Sequence, residues 1–426
     1  MLRRDLRRKP TAPSTSSPWS GSVHTVDEAV LSAKSIVEAM SPPPVVVNDC
    51  TLRDGEQAPG VSFDLAEKVA IACALERAGV DEIEVGIPAM GRLEIEAMSA
   101  VAQSLERVQP IAWCRMLSAD VDAAIRTGIR RVNVSIPLSD RQLAVKLGEG
   151  RPEALARIRR TVRYAVDLGL TVAVGGEDAS RADPSFVCEV VVAAEESGAT
   201  RFRFADTLGV LDPFTVHSVF RRLCAETDLE LEFHGHDDLG MATANTLAAV
   251  QGGANHVSVC VLGLGERAGN AALEEVVTAL EHIAGRRTNI VTKELGPLAE
   301  LVASASRRPI PEGKPIVGGA AFTHESGIHV AGLLKDPQTY EGLSPEPFGR
   351  NRRIVLGKHS GGAGIRHALK ELGLTADDRR VEAILELVRA RAVATKKGVG
   401  PAELAKFHAE TATPKVRRVA VAGGAR

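Results

Sequence analysis

The residues best suited to chemistry are two histidines separated by a single residue, together with an aspartate much earlier in the chain. His234 and His236 end an apolar run, so in a strand both rings leave the same face, with Gly235 giving clearance between them. Asp54 follows another apolar run. Two imidazoles and one carboxylate with open positions suit a divalent metal acting as a Lewis acid. We favour that interpretation over a histidine pair that is merely hydrogen-bonded at a strand end.

Two further charged residues have both a chemical and a structural interpretation. Arg53 either forms a simple ion pair with Asp54 or, if Asp54 binds a metal, stabilises negative charge that develops on a substrate oxygen. Glu177 ends another apolar run, where it would lie among the ionisable groups, but it could equally cap a helix or pair with Arg181. The sequence alone leaves both choices open.

The run from Arg201 to Thr207 alternates in a way that separates two faces. Its two phenylalanines share one face, which should pack on helices, whereas Arg203, Ala205 and Thr207 then point to the other. An inward arginine needs an anion, so Arg203 is a candidate clamp for a substrate carboxylate. The alternative is an ion pair with an inward acid such as Glu84.

The elements that must position these residues alternate between short Val/Ile-rich runs and amphipathic, helix-like stretches. Eight such runs occupy residues 45–49, 82–88, 110–116, 131–137, 170–177, 201–207, 229–237 and 255–262. Eight β/α units in about 240 residues favour an α/β fold, a (β/α)8 TIM barrel, over an open doubly wound sheet. The ionisable groups follow the runs, as expected for a barrel whose chemistry lies at the carboxyl ends of its strands.

The chain divides into three predicted parts. Residues 1–44 form an N-terminal extension, disordered or partly helical over 26–40; residues 45–285 form the catalytic barrel; residues 286–426 form a smaller, mainly helical C-terminal subdomain. The extension is basic and Ser/Thr/Pro-rich, and we interpret it as a disordered tail in preference to an organellar transit peptide. On residue type alone, His329 and His359 in the last part resemble solvated loop histidines.

Composition excludes several classes of protein. The 426 residues carry 52 Lys+Arg and 54 Asp+Glu, a net charge of −2, so no overall field attracts nucleic acid or an anionic membrane. No apolar run approaches the ~18 residues of a membrane span. The six cysteines are scattered without a CxxC pair, which favours reduced thiols and a cytoplasmic location. We therefore expect small-molecule partners.

Several motifs resemble one enzyme family. They are residues 48–57 (NDCTLRDGEQ), 132–137 (VNVSIP), 174–181 (VGGEDASR), 234–238 (HGHDD), 265–270 (GERAGN), 322–329 (FTHESGIH) and 353–361 (RIVLGKHSG). Together they are similar to the metal-dependent TIM-barrel acyltransferases that include 2-isopropylmalate, citramalate and homocitrate synthases. Within that family the chain most resembles homocitrate synthases of the nitrogenase-cofactor type.

The resemblance implies a Claisen condensation of acetyl-CoA with 2-oxoglutarate, followed by thioester hydrolysis to homocitrate and CoA. It implies that Asp54, His234, His236 and Asn270 hold the divalent metal, which could be Mg, Mn, Co or Zn. It further implies Arg53 as the group stabilising charge on oxygen, and Glu177, His329 and Tyr340 as catalytic groups. In this family the C-terminal region reaches the partner's barrel, so a homodimer with His329 acting in trans is expected.

Substrate choice follows less directly from the resemblance. Lysine-pathway homocitrate synthases carry Arg and Ser at the inward positions before Glu177, where this chain has Ala173 and Gly175. A desolvated carboxylate without a cation costs several kcal/mol, so another group must hold the distal carboxylate. We expect Arg203 with Thr207 to hold it, with Arg115 as a further candidate. The full set of substrate-binding candidates is Gln57, Arg115, Asn133, Arg203 and Thr207. The alternatives are 2-isopropylmalate or citramalate synthase activity, C–C cleavage by a lyase, or a catalytically silent barrel used as a scaffold.

Overall fold

Eight parallel strands close into a barrel in the computed structural model, which describes residues 43–412. The strands are β1 (Val46–Asp49), β2 (Glu82–Gly86), β3 (Gln109–Arg115), β4 (Arg131–Pro137), β5 (Thr171–Glu177), β6 (Arg201–Asp206), β7 (Glu230–Gly235) and β8 (His256–Val259). Each strand pairs with the next along the chain, and β8 pairs with β1. The predicted TIM barrel is confirmed, with each strand within three residues of its predicted bounds.

Helices connect the strands and cover the outside of the barrel. They are α1 (Leu65–Arg77), α2 (Arg92–Ser104), α3 (Ser118–Ile125), α4 (Arg151–Asp167), α5 (Pro184–Glu195), α6 (Pro213–Glu226), α7 (Ala242–Gly252) and α8 (Leu273–His282). Local sequence explains where several begin, because the side chains of Asp64, Asp183 and Asp212 accept hydrogen bonds from the first backbone N–H groups of α1, α5 and α6. Pro at the first position of α5 and α6 reinforces those starts.

The alternation predicted for β6 is present. Phe204 packs edge-on against Phe220 of α6, with ring centroids 5.9 Å apart, and Phe220 in turn contacts Phe233 of β7. Arg201 and Arg203 therefore face the barrel interior, where they meet carboxylates. The outer face of the strand supplies core packing and the inner face carries charge.

The C-terminal region is mainly helical, as predicted. It contains α9 (Leu295–Ser306), α10 (Gly327–Leu333), α11 (Gly362–Glu371), α12 (Asp378–Thr395), α13 (Pro401–Ala412) and a short strand pair, β9 (Thr323–His324) and β10 (Arg353–Ile354). Helix α9 buries Leu298 and Val302 in the barrel core, whereas α11, α12 and α13 enclose a second core around Ile365 and Ile384. The predicted N-terminal extension lies outside the described residues except for its last two. Across residues 43–412, every helix is too short or too polar to cross a bilayer.

Candidate active site

The carboxyl ends of the strands surround a cavity of about 230 Å³. Its lining includes nine of the predicted site residues and the unpredicted Lys146. They are Arg53, Asp54, Gln57, Asn133, Lys146, Glu177, Arg203, Thr207, His234 and His236. Parallel strands of a barrel all end on the same side. Residues that are separated by up to about half of the sequence therefore meet at one end of this barrel.

Asp54, His234 and His236 bring their ligand atoms together. The Nε2 atoms of the two rings are 3.3 Å apart, and Nε2 of His234 is 3.5 Å from Oδ2 of Asp54. All three potential ligand atoms lie within 4.8 Å of one another and are buried. Two ring nitrogens and a carboxylate oxygen that converge in this way match the donor set of a divalent metal.

Asn270 contacts this set through its amide nitrogen. Its Nδ2 donates to Oδ1 of Asp54 at 2.9 Å and to the carbonyl oxygen of Leu264 at 3.0 Å, which fixes the amide. Its Oδ1 is buried, and within residues 43–412 it has no hydrogen-bond partner. A buried oxygen without a donor is costly unless something else satisfies it. The residues present therefore fit a bound cation.

Electrostatics keep the three ligand side chains in the protonation states that a metal requires. Burial lowers the pKa of His234 to about 3 and also lowers the pKa of His236, so both rings are neutral at neutral pH. Burial opposes ionisation of Asp54, but the positive charge of Arg53, helped by the hydrogen bond from Asn270, outweighs it and holds the pKa of that carboxyl below its usual range. Ser258 contacts Nδ1 of His234 at 2.9 Å, which leaves Nε2 to face Asp54.

Arg53 is held rigidly beside the ligand set. Its NH1 donates to Asp54 at 2.7 Å, while its Nε donates to Glu84 at 2.7 Å, and its guanidinium lies 5.5 Å from the centre of the Trp113 ring. The ion pair with Asp54 is thus buried, not on the surface. A fixed cation at this position can stabilise negative charge that forms on a nearby oxygen.

Glu177 has a partner that the sequence did not suggest. Both of its carboxylate oxygens accept from Nζ of Lys146, at 2.6 and 2.8 Å. Arg181 instead pairs with Asp178, so the expected alternative of a Glu177–Arg181 ion pair is wrong. Glu177 lines the cavity and remains available to its contents.

The position of Arg203 is compatible with both interpretations from sequence, a clamp for a substrate carboxylate and an ion pair with Glu84. It lines the cavity, and its NH2 also contacts Glu84 at 2.6 Å and Glu232 at 2.9 Å. The ion pair with Glu84 that the alternative proposed is therefore present. Two carboxylates already neutralise this guanidinium, which weakens its attraction for a third.

The other substrate-binding candidates separate into two groups. Gln57, Asn133 and Thr207 line the cavity. Arg115 does not, because its side chain is 59% exposed and forms a two-pronged ion pair with Asp120. Within this subunit, Arg115 is therefore not brought into the cavity lining.

His329 and Tyr340 lie together in the C-terminal region. Their rings stack with centroids 4.2 Å apart, and the His324 ring is 6.4 Å from His329. Among the described residues of this subunit, the cavity lining contains none of these three. The two predicted catalytic groups form a separate pair.

Sequence reasoning assigned no role to several cavity residues. Ser135 could have been found, because it is two residues from Asn133 and so shares its face of β4. Lys146 gave no such signal, because it lies in a connecting segment whose path only the folded chain reveals, whereas Arg267 belongs to the GERAGN motif at the end of the eighth run but was given no role.

Two families match the chain. The HMGL-like family matches residues 45–302, and the homocitrate synthase post-HMGL domain-like family matches residues 316–396. The chain belongs to the HMGL-like family, which confirms the resemblance found in its motifs. Its second matched region identifies it with the homocitrate synthase group, and the protein is accordingly an enzyme of the acyltransferase class.

Similar proteins of known name cover most of the chain. Homocitrate synthase 1 of Nostoc sp. is 47% identical over 84% of this chain and 96% of its own length. Homocitrate synthase of Frankia alni is 49% identical over 76% of this chain and 93% of its own length. 2-Isopropylmalate synthase 2 of Caldanaerobacter subterraneus is 44% identical over 85% of this chain and 94% of its own length.

Solved structures support the fold. Hydroxymethylglutaryl-CoA lyase of Pseudomonas aeruginosa superposes with a TM-score of 0.58 at 22% identity, covering 63% of this chain and 95% of its own. The HMG-CoA lyase of Bacillus subtilis gives 0.56 at 24% identity, covering 63% and 96%. These similarities concern the barrel architecture alone.

Proposed function

We propose that the protein is a homocitrate synthase that condenses acetyl-CoA with 2-oxoglutarate and hydrolyses the thioester to homocitrate and CoA. The observation that carries the proposal is the buried set of Asp54, His234 and His236, in a chain 47–49% identical to two homocitrate synthases. The resemblance to the nitrogenase-cofactor type supports a role for the product in synthesis of the iron–molybdenum cofactor. The scattered free thiols support a cytoplasmic location.

Asp54, His234, His236 and the unpartnered oxygen of Asn270 would hold a divalent metal. When bound, the metal would supply Lewis acidity toward the ketone and carboxylate oxygens of a 2-oxo acid. Mixed oxygen and imidazole donors admit Mg, Mn, Co or Zn.

The reaction requires two proton transfers and the formation of one carbon–carbon bond before the thioester is hydrolysed. A base removes a methyl proton of acetyl-CoA, the resulting carbon attacks the keto carbon, and the new alkoxide takes up a proton before water cleaves the thioester. Arg53 would stabilise the charge that collects on the keto oxygen. We assign the proton transfers to Glu177, which lines the cavity, and to His329, with Tyr340 supporting that ring.

The position of His329 leads us to propose an obligatory homodimer. Within the described part of this subunit, His329 and Tyr340 lie outside the cavity lining, so they would complete the site of a partner subunit. Mixing two inactive variants, His234→Ala and His329→Ala, under exchanging conditions tests this. Heterodimers then contain one intact site, and about a quarter of wild-type activity should return. Activity that stays absent in proven heterodimers would show that both residues serve the same chain's site.

A substrate panel tests the activity itself. We expect free CoA thiol to appear rapidly with acetyl-CoA and 2-oxoglutarate, and hardly at all with 2-oxoisovalerate or pyruvate, with homocitrate identified by mass. Preference for either other oxo acid would make the enzyme a 2-isopropylmalate or citramalate synthase, an alternative supported by relatives at 42–46% identity. Release of acetyl-CoA from a hydroxyacyl-CoA without an oxo acid would indicate a lyase. A protein without bound metal or turnover would be a silent scaffold.

A further inference from the structure

A dicarboxylic oxo acid needs a cation for its second carboxylate, and four cations line the cavity. Arg53 is already held by Asp54 and Glu84, and Arg203 by Glu84 and Glu232. The Arg203 side chain is only 3% exposed, and its Nε is buried without a hydrogen-bond partner among residues 43–412.

The remaining two cations differ in freedom. Arg267 forms a two-pronged pair with Asp238 and also donates to the carbonyl oxygen of Thr207, so its donors are turned to the protein. Lys146 is 48% exposed and contacts one acid, Glu177, itself a cavity residue. An ammonium has three donors, and Glu177 takes two of them. One N–H of Lys146 is therefore left for an incoming anion.

The backbone around Lys146 has an unusual helical geometry. A helical turn at Asp140–Gln142 continues into a π-helical turn at Leu143–Leu147, a geometry that is rare and concentrated at functional sites. Ser139, which caps this segment, donates to Asp178 at 2.5 Å, and Leu143 is buried. The segment is thus tied to the residue that follows Glu177.

Thr207 supplies a second donor beside it. Its Oγ1 accepts the backbone N–H of Asp178 at 2.8 Å, so its own hydroxyl hydrogen is left to donate elsewhere. Thr207 and Lys146 both line the cavity, and they contact two consecutive residues, Asp178 and Glu177 respectively. An ammonium and a hydroxyl in this arrangement suit a carboxylate.

We propose that Lys146, with Thr207, is the specificity-determining subsite for the distal carboxylate of the 2-oxo acid. The proposal rests on the function proposed above and names the group that selects a dicarboxylate. Lys146 is paired with Glu177 in the structure, and on binding the substrate carboxylate shares the ammonium. Selection arises because a monocarboxylic oxo acid leaves this donor pair without its anion.

The test compares 2-oxoglutarate with 2-oxovalerate, which has the same chain length but no distal carboxylate. In Lys146→Met, KM for 2-oxoglutarate should rise, and the ratio of kcat/KM for the two acids should fall by about 10- to 100-fold. Lys146→Arg should recover part of the ratio. Arg141→Met, an exposed cation of the same segment outside the cavity lining, should keep the wild-type ratio. KM for acetyl-CoA should hold in all three.

Two outcomes overturn the proposal. An equal fall in kcat for both acids, with KM unchanged, would mean that Lys146 serves only to neutralise Glu177. An unchanged ratio, with the same thermal shift on adding 2-oxoglutarate as in wild type, would move the subsite elsewhere. Failure of the proposed function looks different, because the wild-type enzyme itself would then not condense acetyl-CoA with 2-oxoglutarate.

Discussion

Two charged layers inside the same barrel are organised in opposite ways. The mouth set is Asp54, His234, His236 and Asn270; the interior cluster is Glu82, Glu84, Arg201, Arg203 and Glu232, which lie earlier in their strands. In the interior cluster Arg201 forms a two-pronged pair with Glu82 at 2.6 and 2.8 Å, and Arg203 bridges Glu84 and Glu232. In the mouth set, ring nitrogens and a carboxylate face one another, and an amide oxygen is left without a donor.

The difference separates charge that serves the fold from charge kept for a ligand. Burying an ion pair is tolerable only when its remaining groups are also satisfied. In the interior cluster every carboxylate has a guanidinium partner, and Nε of Arg203 is the group of these two arginines that has no partner among residues 43–412. In the mouth set the ring nitrogens and the carboxylate converge, and the acceptor Oδ1 of Asn270 has no partner among residues 43–412, as expected of a site that a ligand completes. Arg53 links the two layers by bonding to Asp54 above and Glu84 below.

Removing a metal-binding side chain of the mouth set should have the largest effect of the predicted changes, and the property affected should be activity. We expect His234→Ala to lose metal on dialysis and to turn over at least about 1000-fold more slowly, because the Lewis acid is lost. Metal content and CoA release measure both effects. The exposed His217→Ala on α6 is the matched control and should behave as wild type. A His234→Ala protein that condenses normally would refute the proposed metal mechanism.

Removing a member of the interior cluster should instead fall on stability. Arg203→Met leaves Glu232 and Glu84 buried with fewer partners, and breaking a buried pair costs about 3–5 kcal/mol in free energy of unfolding. Urea unfolding of dialysed protein measures it, with the exposed Arg221→Met as control. A variant of normal stability but high KM for 2-oxoglutarate would restore Arg203 as the carboxylate clamp and remove it from the structural layer.

The same contrast explains what could be predicted from sequence. The barrel and the positions of Asp54, His234 and His236 follow from local patterns, because strand parity and strand order place polar residues at one mouth. Whether Arg203 meets substrate or Glu84, and whether Glu177 meets Arg181 or Lys146, depends on which side chains face each other across the barrel. Those pairings arise from register and loop path between distant segments. The residue pattern of a single sequence does not reveal these side-chain pairings.

Asn270 should have a smaller effect, on metal affinity. Asn270→Ala removes the buried oxygen and the bond to Asp54, and loss of such a supporting group costs about 10- to 100-fold in metal affinity. Competition with a chelator measures the dissociation constant. The comparison is sharpened by Asn270→Asp, which keeps an oxygen and should retain more affinity than the alanine variant. Equal affinity in all three proteins would exclude Asn270 from the mouth set.

The smallest expected effect concerns His256, which borders the interior cluster. Burial, together with the positive charge of Arg201, lowers its pKa in the folded protein to about 4, below the ordinary value of 6.5. As pH falls from 7 to 5 the unfolded chain gains a proton that the folded one does not, so stability falls with pH. Metal-free wild type should lose about 1–2 kcal/mol more than His256→Gln over this interval, by urea unfolding. Parallel losses in both proteins, with the exposed His217→Gln as reference, would mean that the interior layer accepts a proton at His256 without cost, and its charges would then be less tightly matched than their contacts indicate.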